Sequence, residues 1–166
     1  MDPILKNLIR VGRVSSVNPA SCTARVAYED KSKTVSYDLP ILVRGSLEAK
    51  DYWMPVPGEQ VVCLYLPSGN TRGFVIGSVY SEKSKPPVTN GNKRHLSFPD
   101  GTAFEYDAVT HTLVIDAKGA VNIIAAGDVN VTGDVKADGV SLKNHVHSDV
   151  SSGTSNSGPP VPEGGA

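Results

Sequence analysis

From Gly119 onward the chain carries a degenerate repeat: Gly119-Ala120-Val121, Gly127-Asp128-Val129, Gly133-Asp134-Val135 and Gly139-Val140. Val121, Ile123, Val129, Val131 and Val135 are all odd-numbered, whereas Asn122, Asp128, Asn130, Asp134 and Lys136 are even-numbered. Successive side chains of an extended backbone point to opposite faces, so the segment has one narrow aliphatic stripe and one polar face. Short repeats of this kind predict a β-helix or solenoid. A single stripe has no second layer to pack against, and one chain of this segment cannot hide it. Several identical chains wound about a common axis can. A three-chain prism places three aliphatic stripes inside and the Asp, Asn, Thr and Lys side chains outside, and it pairs strand edges between chains. The alternative for the same residues is a monomeric solenoid cap or a β-meander.

The residues before the repeat have a different texture. Asp2 and Pro3 suit an N-cap and a first helical position, and Ile4, Leu5 and Leu8 follow at helical spacing. This predicts a short N-terminal helix over 1–9, too short to stand alone. Residues 10–88 read as a small barrel. Arg10 to Val17 and Thr23 to Tyr28 alternate, Thr34 to Val43 forms a third run interrupted by Pro40, and Val61 to Leu66 and Phe74 to Tyr80 complete five strands. That count fits a barrel of the oligonucleotide/oligosaccharide-binding (OB) type. Residues 81–94 are polar, with Pro86-Pro87 and Asn90-Gly91, and read as a linker. Residues 89–142 then form the β-helix, and 143–166 its tip and tail. The fold class expected is all-β: an OB-fold-type barrel followed by an intertwined triple-stranded β-helix built by a homotrimer.

His145 and His147 follow directly after the repeat and are two residues apart, so on a strand both imidazoles point the same way while Val146 points opposite. If they continue the inward stripe of a three-chain prism, three times two, or six, imidazoles converge on the axis. Six nitrogens suit an octahedral ion. Zinc prefers four tetrahedral ligands, so iron(II) is the better match. The ligands must be neutral, so the site weakens in acid. Two histidines near a polar tail are otherwise ordinary solvated residues. His145-Val146-His147-Ser148-Asp149-Val150 also looks like the first ligand motif of metallo-β-lactamase-type hydrolases, but Val150 stands where that motif needs histidine.

Composition narrows the function classes. Sixteen Lys and Arg against 17 Asp and Glu give a net charge of −1, which will not draw the chain to DNA or an anionic membrane. No apolar run approaches the ~18 residues of a membrane helix, and the first residues lack the features of a signal peptide. Cys22 and Cys63 stand alone and read as buried thiols. No GxSxG, Walker A, HExxH or GxGxxG is present. His95 and His111 read as isolated surface or packing residues. Tyr52, Trp53 and Tyr65 could form a stacking platform for single strands, but with so few basic neighbours they read as core or interface.

Taken in order, these pieces resemble the baseplate central-spike proteins (baseplate assembly protein V) of contractile-tailed phages, with relatives in phage-tail-like bacteriocins and type VI secretion spikes. The resemblance rests on Ile9-Arg10-Val11-Gly12-Arg13-Val14, Pro57-Gly58-Glu59-Gln60-Val61, Gly73-Phe74-Val75-Ile76-Gly77, Phe98-Pro99-Asp100-Gly101-Thr102, the Gly-Asp-Val repeats, and His145-Val146-His147 before a Gly/Ser/Pro tail. It implies a homotrimer with a barrel hub, a β-helical needle, and one iron per trimer on the three-fold axis, held by His145 and His147 of each chain, with calcium or chloride as further axial ions. It implies hub and tail-tube proteins as partners, a place at the baseplate tip of the virion, and passage through the host outer membrane on tail contraction. Neither an enzyme nor a nucleic-acid binder is expected. Some family members carry a lysozyme-like domain between barrel and needle; residues 81–94 leave no room for one. The tail Ser151–Ala166 departs from the pattern in its Pro-Val-Pro-Glu-Gly-Gly-Ala ending. The competing reading is an OB-fold nucleic-acid or glycan module on a trimeric stalk.

Overall fold

The computed structural model describes residues 7–29, 34–67, 72–149 and 153–154. Residues 1–6 of the expected N-terminal helix and nearly all of the 151–166 tail lie outside the described residues. The chain divides into two compact units, Met1–Lys118 and Gly119–Ala166.

The first unit opens with a five-stranded antiparallel sheet: β1 (Ile9–Asn18), β2 (Thr23–Ala27), β3 (Leu39–Pro40), β4 (Gln60–Tyr65) and β5 (Gly73–Ser78), in the order β3-β2-β1-β4-β5. The alternation of β-branched and polar residues explains why these segments are strands. In β4, Val61, Cys63 and Tyr65 turn inward and are buried, while Val62 and Leu64 turn outward. β1 serves two partners. Ile9–Arg13 pairs with β4, Arg13–Asn18 pairs with β2, and a bulge between Val14 and Ser16 bends the strand where the partners change. A second bulge lies between Val62 and Cys63 in the β4–β5 pair. The bent sheet curls until its edges nearly meet. Ile41, just after β3, bridges Val75 of β5 in parallel, and the Leu42 N–H donates to the Val75 carbonyl at 2.8 Å. The cyclic order is therefore 1-2-3-5-4, a nearly closed barrel.

Its core is Val14, Ala24, Val26, Tyr28, Leu39, Ile41, Val61, Cys63, Tyr65 and Val75. Gly12 is required here: a Cβ at that position would lie 2.6 Å from Val26 Cγ1 and 2.7 Å from the Ala27 carbonyl oxygen. Of the expected third run Thr34–Val43, only Leu39–Pro40 is a strand, flanked by single bridges at Val35 and Ile41. Pro40 has no N–H for the ladder, which keeps β3 short.

After Pro86-Pro87 the same unit continues as a three-stranded antiparallel meander: β6 (Lys93–Ser97), β7 (Ala103–Asp107) and β8 (Thr112–Asp116). Register puts Leu96, Phe104, Tyr106, Leu113 and Ile115 on one face, and Lys93, His95, Glu105 and Asp107 on the other. The β6–β7 turn is held by Asp100, which accepts from the Thr102 N–H and hydroxyl.

In the second unit no strand lies between Gly119 and Val135 among the described residues. β9 (Lys136–Ala137) and β10 (Val140–Ser141) then form a short hairpin. Asp138 and Gly139 at its tip both take positive φ, 48° and 86°, as a two-residue primed turn requires.

Candidate metal centre at the C-terminal tip

The aliphatic stripe leading to the histidines is uncovered in the single chain. Val121 is 62% exposed, Ile123 73% and Val131 58%, and no described residue of 119–149 is buried. The backbone of this stretch is equally open. Among the described residues, no N–H from Gly119 to Asp134 is hydrogen-bonded within the chain. Unpaired aliphatic surface and unpaired backbone donors thus occur together on the repeat.

The β9–β10 hairpin ends this open stretch. Four successive N–H groups past it find partners within the same unit. The Leu142 N–H donates to the Val135 carbonyl at 2.8 Å, Lys143 to Asp134 Oδ1 at 3.2 Å, Asn144 to Ser141 Oγ at 2.8 Å, and His145 to the Ser141 carbonyl at 3.1 Å. Ser141 acts as the cap of a single helical turn, using the short polar side chain that such a position favours.

This turn delivers His145. Its Nδ1 lies 3.0 Å from the Ser141 carbonyl oxygen and 3.1 Å from that of Leu142. Carbonyl oxygens only accept, so these contacts require a proton on Nδ1; the neutral tautomer that fits them has its lone pair on Nε2. A metal-binding imidazole is commonly arranged this way, with one nitrogen donating to a carbonyl and the other turned to the ion. The His147 ring stands beside it, centroids 5.1 Å apart and planes at 81°. Both side chains are exposed. The two predicted ligands are thus neighbours, although residues 145–147 are not a ladder strand. Among the described residues no three metal-ligating side chains of one chain cluster. One chain presents a pair of imidazoles whose chemistry fits a metal, and a metal held there would need further ligands from elsewhere.

The other singled-out residues fall in different places. Tyr65 is in the barrel core, its hydroxyl 2.7 Å from that of Tyr28. Burial pushes the Tyr28 phenol well above its ordinary range and raises the Tyr65 phenol and the neighbouring Cys63 thiol. Trp53 packs against the same core and its Nε1–H donates to the Leu42 carbonyl at 3.0 Å, while Tyr52 is exposed. Tyr65 is therefore buried away from any stacking platform. Cys22 and Cys63 are free thiols. His95, isolated in the sequence, is not isolated in space. Its Nδ1 lies 2.9 Å from Glu105 Oε2, and Lys93 Nζ lies 2.6 Å from Glu105 Oε1. Lys93 and His95 hold the Glu105 carboxyl below the ordinary carboxylate range. The signal for this cluster is the alternation on either side of Pro99-Asp100-Gly101, which a hairpin brings into cross-strand register.

No protein-family model matches the chain. It is similar to the Spike protein of Escherichia phage P2, with 26% identity over 130 residues, covering 77% of this chain. The chain matches 59% of that protein's length. The resemblance to a phage baseplate spike, carried first by the order of motifs from Ile9 to His147, is thus supported by a curated phage spike with which the chain aligns over most of its length.

Proposed function

We propose that this chain is the structural spike at the centre of a contractile-tail baseplate, which pierces the host outer membrane when the tail contracts. It acts as a homotrimer, carries no enzymatic activity, and takes its place at the tip of the virion alongside hub and tail-tube proteins. Of the stretch 89–142 expected to form the needle, residues 93–116 pair among themselves as the meander, and residues 119–142 of three chains wind into a triple-stranded β-helix. The carrying observation is the coincidence, on one stretch, of an uncovered aliphatic stripe with backbone donors that find no partner among the described residues. Two further copies around a common axis would satisfy both needs at once, and the similarity to a phage spike supports the same assignment. The cyclic strand order of the first unit supports an OB-type barrel as the hub.

At the tip, His145 and His147 of three chains would hold one iron. Bound there, the ion supplies a cross-link among three chain ends rather than a reactive centre. Ends fray first, so a tie at this point stiffens the part of a needle that meets the membrane. A polar exterior of Asp, Asn and Lys limits lodging in lipid. A nucleic-acid module is disfavoured, since net charge is −1 and Tyr65 is committed to the core.

Native mass measurement with elemental analysis of the purified protein tests this reading. It should show three chains and about one iron, as the two-imidazole count per chain requires. His145→Ala with His147→Ala should remove the metal and leave the trimer. A folded single subunit in dilute solution would refute the spike reading.

A further inference from the structure

The carboxylate of Asp134 and the hydroxyl and carbonyl of Ser141 converge on the one turn that carries His145. Asp134 Oδ1 accepts the Lys143 N–H at 3.2 Å, Ser141 Oγ accepts the Asn144 N–H at 2.8 Å, and the Ser141 carbonyl faces His145 Nδ1 at 3.0 Å. We infer that Asp134 and Ser141 are positioning residues for the tip: they fix the Leu142–Asn144 turn so that His145 presents a bare Nε2. This rests on the metal-binding reading of His145 and His147.

The argument is one of preorganisation. Residues 142–144 are exposed, with no burial to fix their path. Their conformation is set by hydrogen bonds alone, and two of the three N–H groups depend on side chains that a single substitution removes. Without them the turn loosens, and Nδ1 loses its fixed approach to the Ser141 and Leu142 carbonyls. The proton is then free to reside on either nitrogen, so part of the population offers the wrong atom. Partners that orient a ligating imidazole are worth roughly 10–100-fold in metal affinity. Asp134 is the polar residue of the second of the two Gly-Asp-Val units and has an even number, on the predicted polar face, so it acts through the backbone of Lys143 and not as a ligand itself.

The test uses the full-length protein stripped of metal, with Asp134→Ala, Asp134→Asn and Ser141→Ala. Iron(II) is titrated anaerobically against a competing chelator, and the protonated nitrogen of His145 is read by nitrogen-15 NMR before metal is added. Asp134→Ala and Ser141→Ala should each weaken iron binding by about 10–100-fold. Both should shift the His145 signals away from a single Nδ1–H form, with the native mass unchanged. Asp134→Asn keeps an oxygen acceptor and should restore both readouts. Wild-type affinity and unchanged His145 signals in Asp134→Ala and Ser141→Ala would overturn the inference while leaving the metal reading intact. Equal losses in Asp134→Asn and Asp134→Ala would also overturn it, because charge rather than positioning would then be at work. If the wild-type protein bound no iron, the metal reading would fail, and with it the role of Asp134 and Ser141 toward a metal.

Discussion

Val131 and Asn130 are adjacent residues with opposite predicted fates, and replacing each with serine separates them. In the single chain Val131 is 58% exposed, so that fraction of its side chain is what assembly can cover. Complete burial of a valine is worth roughly 2 kcal/mol, so covering this share gives about 1.2 kcal/mol for each chain and about 3.5 kcal/mol for three. That energy corresponds to a trimerisation constant lowered roughly 400-fold. The midpoint concentration of a three-chain equilibrium varies as the square root of this constant, so it should rise roughly 20-fold. Sedimentation across a concentration series, at a fixed guanidinium concentration that partly dissociates the wild-type assembly, measures the shift directly. Asn130→Ser changes the polar face and should stay within about 0.5 kcal/mol of wild type, as surface substitutions do. Equal effects of the two substitutions, or a larger one for Asn130→Ser, would refute the inward stripe.

Two further predictions concern the first unit. Gly12→Ala should destabilise the barrel by about 1–3 kcal/mol in denaturant unfolding, because its Cβ would press on Val26 and on the Ala27 carbonyl, which cannot swing aside. Glu105→Gln should lower the thermal midpoint at neutral pH. The folded-state carboxyl is held below its ordinary value by Lys93 and His95, so its contribution is present above the unfolded-state value and is lost as pH falls through the folded one. Wild type and variant should therefore converge in acid; a gap that persisted or widened there would exclude the carboxylate as its source.

The barrel was legible because its strands announce themselves through burial. Val61, Cys63 and Tyr65 alternate with half-exposed neighbours, and turn residues at Asn18-Pro19 and Pro57-Gly58 separate the runs. The run from Thr34 to Val43 reads as one strand yet contributes only Leu39–Pro40, since Pro40 cannot donate and alternation does not reveal which backbone donors find partners. Pairing was the hidden variable elsewhere. Phe104, Tyr106, Leu113 and Ile115 read as extended, but their three-stranded meander and the Lys93–Glu105–His95 cluster depend on turns at 98–102 and 108–111. At the tip, the two-residue spacing of His145 and His147 predicted imidazoles on one side of a strand; the structure sets the two rings 5.1 Å apart on a segment that is not a strand. The hydrogen bonds from this turn to Asp134 and Ser141 were invisible because an isolated turn has no periodicity to betray it.

The bonds that shape the tip are short in sequence: the longest, between Lys143 and Asp134, spans nine residues. Contacts this local close in about 10–100 ns, and hairpins follow within roughly 1–10 μs. No encounter between molecules is needed. Each chain can therefore present its imidazole pair by itself, whereas the proposed pairing along the repeat would await a collision whose rate depends on concentration. In the assembly pathway of the proposed trimer the terminus would be the early, unimolecular event, and the shaft the late one.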